Sequence, residues 1–453
     1  MHALSTDLYQ LTMAAGYFHR EMTARSATCE MFVRRLPEAR RYLIAMGIEA
    51  VVRYLLELRF DNEDIAYLKT VPSLADAMTP GFVDYLHAFR FTGDIDAVPE
   101  GTPLFENEPF VRVRAPLIEA QAVETHLLSL INHQSMIASK AARIVVAAEG
   151  ATAVEFGTRR THPDAAIDAA RAAYAVGFAA TSNVEAGRRH GIPVTGTAAH
   201  MWTMAHASEE EAFAGYAETF PNATILLIDT YDTDRGARRA AHAARERLKG
   251  VRIDSGDLDQ SSRSVRAILD EMGRTETRIV VSGDLNEHSI AALRKAKAPI
   301  DTFGIGTELV ASVDAPALGG VYKLVALDDG AEHRDIAKFS MGKATFPGAH
   351  QIHRVSRGDM AVRDVLSLSD EGAPVLERGE TSAPLLVPFM RDGKRTRPAD
   401  DLAAIRARAK QGLASLPAIL RDLGPKSHDT RFRVEPSPAL EALMERVRRE
   451  VAA

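Results

Sequence analysis

The sequence predicts an α/β fold: a β/α barrel flanked by α+β segments at both chain ends. Three observations carry that expectation. From Thr152 onward, apolar strand-like runs alternate with helix-like segments. The tetrapeptide Ser-Gly-Asp-Leu occurs twice, at Ser255–Leu258 and Ser282–Leu285, about one strand-plus-helix unit apart. Outside the alternating stretch the chain holds short β-like pieces and helices in no fixed order.

In chain order, Ser5-Thr6-Asp7 reads as a helix start ahead of LYQLTMAAGYFHR, with Tyr9 in its first turn. ATCEMFVRRL at 27–36 alternates as a strand does. Met46–Phe60, Asp61–Leu68 and Pro80–Phe89 read as helices. Residues 91–114 are β-like pieces broken by Gly93, Pro99, Gly101, Pro103 and Pro109. Pro116 opens a long helical region, expected to split in two.

The strand-like runs that follow are TAVEF, VGFAAT, IPVTGTA, ATILLID, VRID, RIVVS, DTFGIG and VYKLVA. Eight such runs fit a β/α barrel, although an open doubly wound sheet fits the alternation too. After Lys323 the regularity fades. HQIHRVSRG, DMAVRDVLSLSD and PLLVPFMRDGK read as β pieces, and 401–423 and 438–452 as helices joined by a polar connector at 425–429. The expected domains are an α+β part at 1–140, the barrel at 141–335, and a C-terminal segment at 336–453 that packs with the N-terminal one.

Composition narrows the function classes. The 453 residues carry a net charge of −6, which disfavours a nucleic-acid binder or a basic membrane-surface protein. The single cysteine, Cys29, permits neither an internal disulfide nor a four-cysteine zinc site. MHALSTDLYQLTM lacks a basic region leading into an apolar one, and no apolar run approaches a membrane span, so a cytoplasmic protein is expected.

In a β/α barrel the working groups lie at the C-terminal strand ends. Here those ends carry Phe156-Gly157-Thr158-Arg159, Thr181-Ser182-Asn183, Thr197 and His200, Asp229-Thr230, Asp254, Ser282-Gly283-Asp284 and Gly306-Thr307. Gly256, Gly283, Gly304 and Gly306 let backbone N–H groups approach a phosphate. Carboxylates at Asp254, Asp257 and Asp284 alone repel phosphate, so they point to Mg²⁺ or to a developing cation. A phosphorylated sugar over the open barrel end satisfies both. One copy of SGDL reads as turn chemistry and an N-cap; two copies and a GIGT at matching places favour the ligand.

There is no GxxxxGK[ST], and beyond Gly304 and Gly306 the third dinucleotide-fingerprint position is Leu309. Phe156 with Arg159 or Arg252 suits a flat anionic ring, stacked on the phenyl and paired with a guanidinium. A core phenylalanine with a surface arginine fits the same spacing. His200 has the chemistry of a base or a nucleophile, although a lone histidine is more often structural. Asp229, ending the most apolar strand, needs a partner: a cationic transition state, a metal-bound water or Arg252. Asp232 reads as an N-cap.

Taken together, the strings closely resemble the nicotinate phosphoribosyltransferase family. They are TDLYQLTMAAGYF at 6–18, EFGTRR at 155–160, TSNV at 181–184, GTAAH at 196–200, LLIDTYDT at 226–233, VRIDSGDL at 251–258, VVSGDLNE at 280–287, FGIGTELVAS at 303–312, GGVYKL at 319–324 and PGAHQIHR at 347–354. The resemblance runs almost end to end. It implies an irregular (β/α) barrel of the type II phosphoribosyltransferases, with a second α+β domain built from both chain ends. It implies a homodimer with a shared active site, in which Tyr9 comes from the neighbouring subunit and stacks opposite Phe156. Arg159, Ser182, Thr197 and Arg252 then hold nicotinate. Thr230, Ser282, Gly283, Asp284, Gly306 and Thr307 hold the phosphoribosyl group, with Asp229 and Asp254 supporting catalysis. His200 matches the histidine that the family phosphorylates, making ATP a co-substrate and Mg²⁺ the cofactor, with no metal ligand assigned.

The implied reaction transfers phosphoribosyl from phosphoribosyl pyrophosphate to nicotinate, giving nicotinate mononucleotide for NAD biosynthesis. Related nicotinamide enzymes carry an aspartate in the segment that here reads Thr181-Ser182-Asn183. Ser182 removes that repulsion and favours the acid. A quinolinate enzyme wants a more basic pocket, and a non-catalytic metabolite-binding barrel does not need His200, Asp229 and Asp254 together. Two departures stand out: His350 where relatives often carry lysine, and no cysteine cluster for zinc.

Overall fold

The computed structural model describes residues 3–340, 344–424 and 431–452, so the connector expected at 425–429 lies outside the described residues. The chain divides into two compact units, Ile137–Pro316 and a unit made of Met1–Met136 with Ala317–Ala453.

The 137–316 unit holds a six-stranded sheet in the order Ala180–Thr181, Thr152–Glu155, Thr302–Ile305, Arg278–Ser282, Leu248–Ile253, Thr224–Leu227. Every pairing is parallel. Helices follow the strands, among them Pro163–Val176, Thr233–Ala244, Leu258–Glu271 and Glu287–Lys295. The central strands are apolar without alternation, Arg278–Ser282 being buried at all but its first residue, as a parallel sheet covered on both faces requires. Because all strands run the same way, their C-terminal ends share one edge.

The sheet is a curled half-barrel, and two of the eight predicted runs are not among its strands. IPVTGTA contributes an isolated parallel bridge between Thr181 and Val194, since Pro193 and Gly196 do not sustain a ladder. VYKLVA belongs to Gly320–Asp328, which pairs antiparallel with Ser26–Val33 in the other unit. The fourteen residues between Ile305 and Gly320 hold the four-residue helix Thr307–Val310. The 137–316 unit therefore ends nearer the chain middle than the expected barrel boundary at 335.

In the other unit both chain ends enter one seven-stranded sheet. Its order is His333–Asp335, Gly320–Asp328, Ser26–Val33, Pro109–Pro116, Asp94–Ala97, Val387–Arg391, Lys394–Arg395. A four-stranded sheet adds Glu380–Pro384, His350–Arg357, Met360–Leu368 and Val434–Pro436. The predicted long helical region does split, into Leu117–Ala122 and Glu124–Ala147. Asp61 and Asp64 close a capping box at Asn62–Leu68. His350 is buried, with its Nδ1 2.6 Å from Glu30 Oε2. No helix among the described residues is long and apolar enough to cross a membrane.

Candidate active site

Arg252 is the hub of the strand-end cluster. It sits in Leu248–Ile253, opposite Val280 on one side and Leu227 on the other. Its Nε donates to Ser282 Oγ at 2.8 Å, Nη1 to Thr197 Oγ1 at 3.0 Å and Nη2 to Asp254 Oδ1 at 2.6 Å. Its Cζ stands 5.5 Å from the centroid of the Phe156 ring, a cation–π distance. The side chain is 13% exposed, so these interactions act with little solvent screening.

Asp254 receives a second hydrogen bond on Oδ1 from the Ser282 hydroxyl. Burial favours its neutral form, but the Ser282 bond, the Arg252 charge and bond, and His200 outweigh burial and hold the carboxyl below its usual range. Asp254 is thus an anion at neutral pH. Its backbone N–H donates to Asp229 Oδ2 at 2.8 Å, and the Ser255 hydroxyl donates to the same oxygen at 2.7 Å. The other oxygen, Asp229 Oδ1, is buried and has no hydrogen-bond partner among the described residues. His200 opens the short helix His200–Met204, with Nδ1 3.2 Å from Thr230 Oγ1 and Nε2 4.0 Å from Asp254 Oδ2.

Two glycines are required by close approach. A Cβ on Gly304 would lie 2.4 Å from two ring carbons of Phe156, so the phenyl rests on the neighbouring strand only because Gly304 has no side chain. Gly283 has φ +98°, and a Cβ there would meet the Asp254 carbonyl oxygen at 2.4 Å. Asp284 follows with φ +45°, in the left-handed region that costs most side chains energy. Gly306 leads into Thr307, the first residue of Thr307–Val310.

The structure thus gathers Phe156, Thr197, His200, Asp229, Thr230, Arg252, Asp254 and Ser282 into contact, with Gly283 against Asp254. Ser182 is half-buried, its N–H donating to the Glu155 carbonyl at 2.9 Å. Arg159 is exposed in the single turn Thr158–Arg160, and no hydrogen bond or ion pair joins it to the cluster. Tyr9 is on Leu8–His19 of the other unit and is 47% exposed.

Glu155 was missed as a candidate. Its buried carboxylate accepts the Gly157 N–H and, at 2.5 Å, the Thr181 hydroxyl. Thr181 Oγ1 in turn accepts the Asn183 N–H at 2.9 Å. One acid therefore ties the turn carrying Phe156 to the turn carrying Ser182. Burial pushes its carboxyl above the usual range, against those two hydrogen bonds. The available signal was an acid ending an apolar strand immediately before Phe-Gly-Thr-Arg.

A curled parallel sheet with this polar edge, joined in one chain to an α+β unit of both chain ends, defines a type II phosphoribosyltransferase. The family models agree. The nicotinate phosphoribosyltransferase N-terminal domain matches residues 4–132, and the nicotinate phosphoribosyltransferase family matches 151–346. Nicotinate phosphoribosyltransferase pncB2 of Mycobacterium tuberculosis is 45% identical over 93% of this chain and 89% of its own length. The Bacillus subtilis nicotinate phosphoribosyltransferase is 42% identical over 82% of this chain and 76% of its own. The crystal structure of human nicotinic acid phosphoribosyltransferase superposes with a TM-score of 0.83 at 28% identity, covering 98% of this chain and all of that one. The chain belongs to the nicotinate phosphoribosyltransferase family. It is an enzyme of phosphoribosyl transfer, converting nicotinate to nicotinate mononucleotide in NAD synthesis.

Proposed function

We propose that the chain couples this transfer to ATP through His200, works as a homodimer with shared active sites, and uses the strand-end cluster in the following roles. Nicotinate lies against Phe156, its carboxylate facing Arg159 and Arg252 beside Thr197 and Ser182. The phosphoribosyl group lies along Thr230, Ser282, Gly283, Asp284, Gly306 and Thr307. The observation that carries this reading is the Arg252 hub, which joins the aromatic face, Thr197 and the Ser282–Asp254 pair in one rigid unit.

The chemistry follows from that placement. The pyridine nitrogen attacks C1 of the ribose as the C1–O bond to pyrophosphate breaks, and the bonding pair leaves with pyrophosphate. No base is needed, because the attacking nitrogen carries a free lone pair. Positive charge develops on C1 and the ring oxygen, and ionised Asp254 with Asp229 stabilises it. The buried, unpartnered Asp229 Oδ1 fits a hard cation, so Asp229 and its neighbour Asp254 are the residues that would hold Mg²⁺. When bound, Mg²⁺ supplies charge neutralisation for the pyrophosphate leaving group.

For the coupling, Thr230 holds Nδ1 of His200 and leaves Nε2 to take the γ-phosphoryl group of ATP, releasing ADP. Water later cleaves the N–P bond to give phosphate and restore the imidazole. The dimer reading is supported by Leu8, Tyr9 and Met13, all large, apolar and exposed on one helix. Tyr9 of the partner subunit supplies the second aromatic face. We place the enzyme in the cytoplasm, where its charged substrates are held.

The test is an assay of purified protein with phosphoribosyl pyrophosphate, Mg²⁺ and either nicotinate or nicotinamide, with and without ATP, products separated by chromatography. Nicotinate mononucleotide formed faster with ATP, with ADP released, is the expected result. ATP-independent turnover without ADP overturns the coupling, and product from nicotinamide overturns the role given to Ser182.

A further inference from the structure

Behind the two glycine turns lies a buried ionic cluster that the reaction scheme does not use. Lys140 on Glu124–Ala147 has a side chain only 2% exposed. Its Nζ lies 2.6 Å from Glu287 Oε2, 2.9 Å from Asp314 Oδ1 and 3.5 Å from Glu308 Oε2. Arg143, one turn further along the same helix, donates from Nε to Glu287 Oε1 at 2.9 Å. All of these residues belong to the 137–316 unit.

The places of the carboxylates in the chain give the cluster its meaning. Glu287 is the first residue of Glu287–Lys295, the helix that follows Gly283-Asp284, and its side chain is fully buried. Burial opposes its charge, yet Lys140 and Arg143 hold its carboxyl below the usual range. Glu308 is next to Thr307 in the helix that follows Gly306. One ammonium, with three N–H donors, thus faces the elements leaving both turns. A buried ion pair contributes little net stability compared with apolar packing of the same volume, so stability alone gives no reason for a lysine here. What a point charge between three carboxylates fixes is their mutual geometry.

We propose that Lys140 is a positioning residue for phosphoribosyl pyrophosphate, setting the separation of the Gly283–Asp284 and Gly306–Thr307 turns so that both reach one phosphate. The inference rests on the reading of those turns as the phosphoribosyl site. Lys140 touches no substrate, so its effect falls on one substrate and spares the other.

The experiment measures KM for phosphoribosyl pyrophosphate, KM for nicotinate, and kcat in Lys140→Met, Lys140→Arg, Glu308→Gln and Thr307→Val. Lys140→Met is expected to raise KM for phosphoribosyl pyrophosphate about tenfold, with KM for nicotinate within about twofold of wild type and partial recovery in Lys140→Arg. Glu308→Gln, which removes only the arm beside Thr307, is expected to raise the same KM by about threefold and decides the matter if Lys140→Met does not fold. A reduced active fraction with unchanged KM values overturns the proposal, as does a raised KM in Thr307→Val alone. An unchanged KM in Thr307→Val as well overturns the phosphate reading beneath it.

Discussion

Arg252 Nη2 and Asp254 Oδ1 stand 2.6 Å apart across one residue of the same strand end, and the Ser282 hydroxyl is bonded to both side chains. The strand alternation places both residues on the same face, so the pair is preformed before substrate arrives. Arg252→Met removes the bond to Asp254 and the bond to Thr197 together, leaving Asp254 with the Ser282 hydroxyl. We expect kcat/KM for nicotinate to fall about a hundredfold or more in steady-state kinetics. Arg252→Lys keeps the charge but loses the fork, and is expected to recover only a small part. A kcat/KM near wild type in Arg252→Met would remove the hub from the reaction.

The same pair gives a pH dependence. Asp254 has a folded pKa below its unfolded value, so its ionisation stabilises the fold above the unfolded value of about 3.9, and that contribution is lost as pH falls through the folded value. Urea midpoints of wild type and Asp254→Asn are expected to differ at pH 6 and to converge below about pH 4. A gap that stays constant down to pH 3 counts against the ionised carboxylate.

Gly304→Ala tests the aromatic face. The added Cβ enters the space of the Phe156 ring at 2.4 Å, and the ring has to leave the strand. The overpacking costs about 1–3 kcal/mol, read as a lower denaturation midpoint. KM for nicotinate is expected to rise about tenfold, with KM for phosphoribosyl pyrophosphate much less affected. Equal rises in both would mean a general loss of packing.

Ser182→Asp places a carboxylate on a residue whose N–H is fixed to the Glu155 carbonyl. The introduced charge repels the nicotinate carboxylate and accepts hydrogen bonds from a carboxamide. KM for nicotinate is expected to rise about tenfold or more, and any nicotinamide turnover to increase. An unchanged KM for nicotinate places Ser182 away from the base.

His200→Ala separates coupling from transfer. Nicotinate mononucleotide is expected to form still, more slowly, while ADP no longer accompanies it. Continued release of about one ADP per mononucleotide assigns the phosphoryl group to another residue.

Much of the site was legible as a set of strand ends. Asp229, Asp254, Ser282 and Gly306 each follow an apolar run, and that position is a local property readable from a few residues. Local reading did not distinguish Arg252 from Arg159. Both are arginines beside candidate turns, but only Arg252 points among three strands and reaches Thr197, Ser282 and Asp254. Glu155 and Lys140 were passed over for the same reason, since their partners come from other elements of the fold.

By itself, the sequence determined most of the segments that form strands and helices, where glycine lets backbone approach, and which polar residues stand at strand ends, IPVTGTA being a strand-like run that forms only a bridge. Those properties depend on side-chain periodicity and turn chemistry within one segment. Only the tertiary structure decided that Gly320–Asp328 leaves the parallel sheet to pair with Ser26–Val33, and that the catalytic sheet is a six-stranded half-barrel. An apolar run carries no mark of the strand it will meet. Its partner is selected by the edge left open when the rest of the chain has packed.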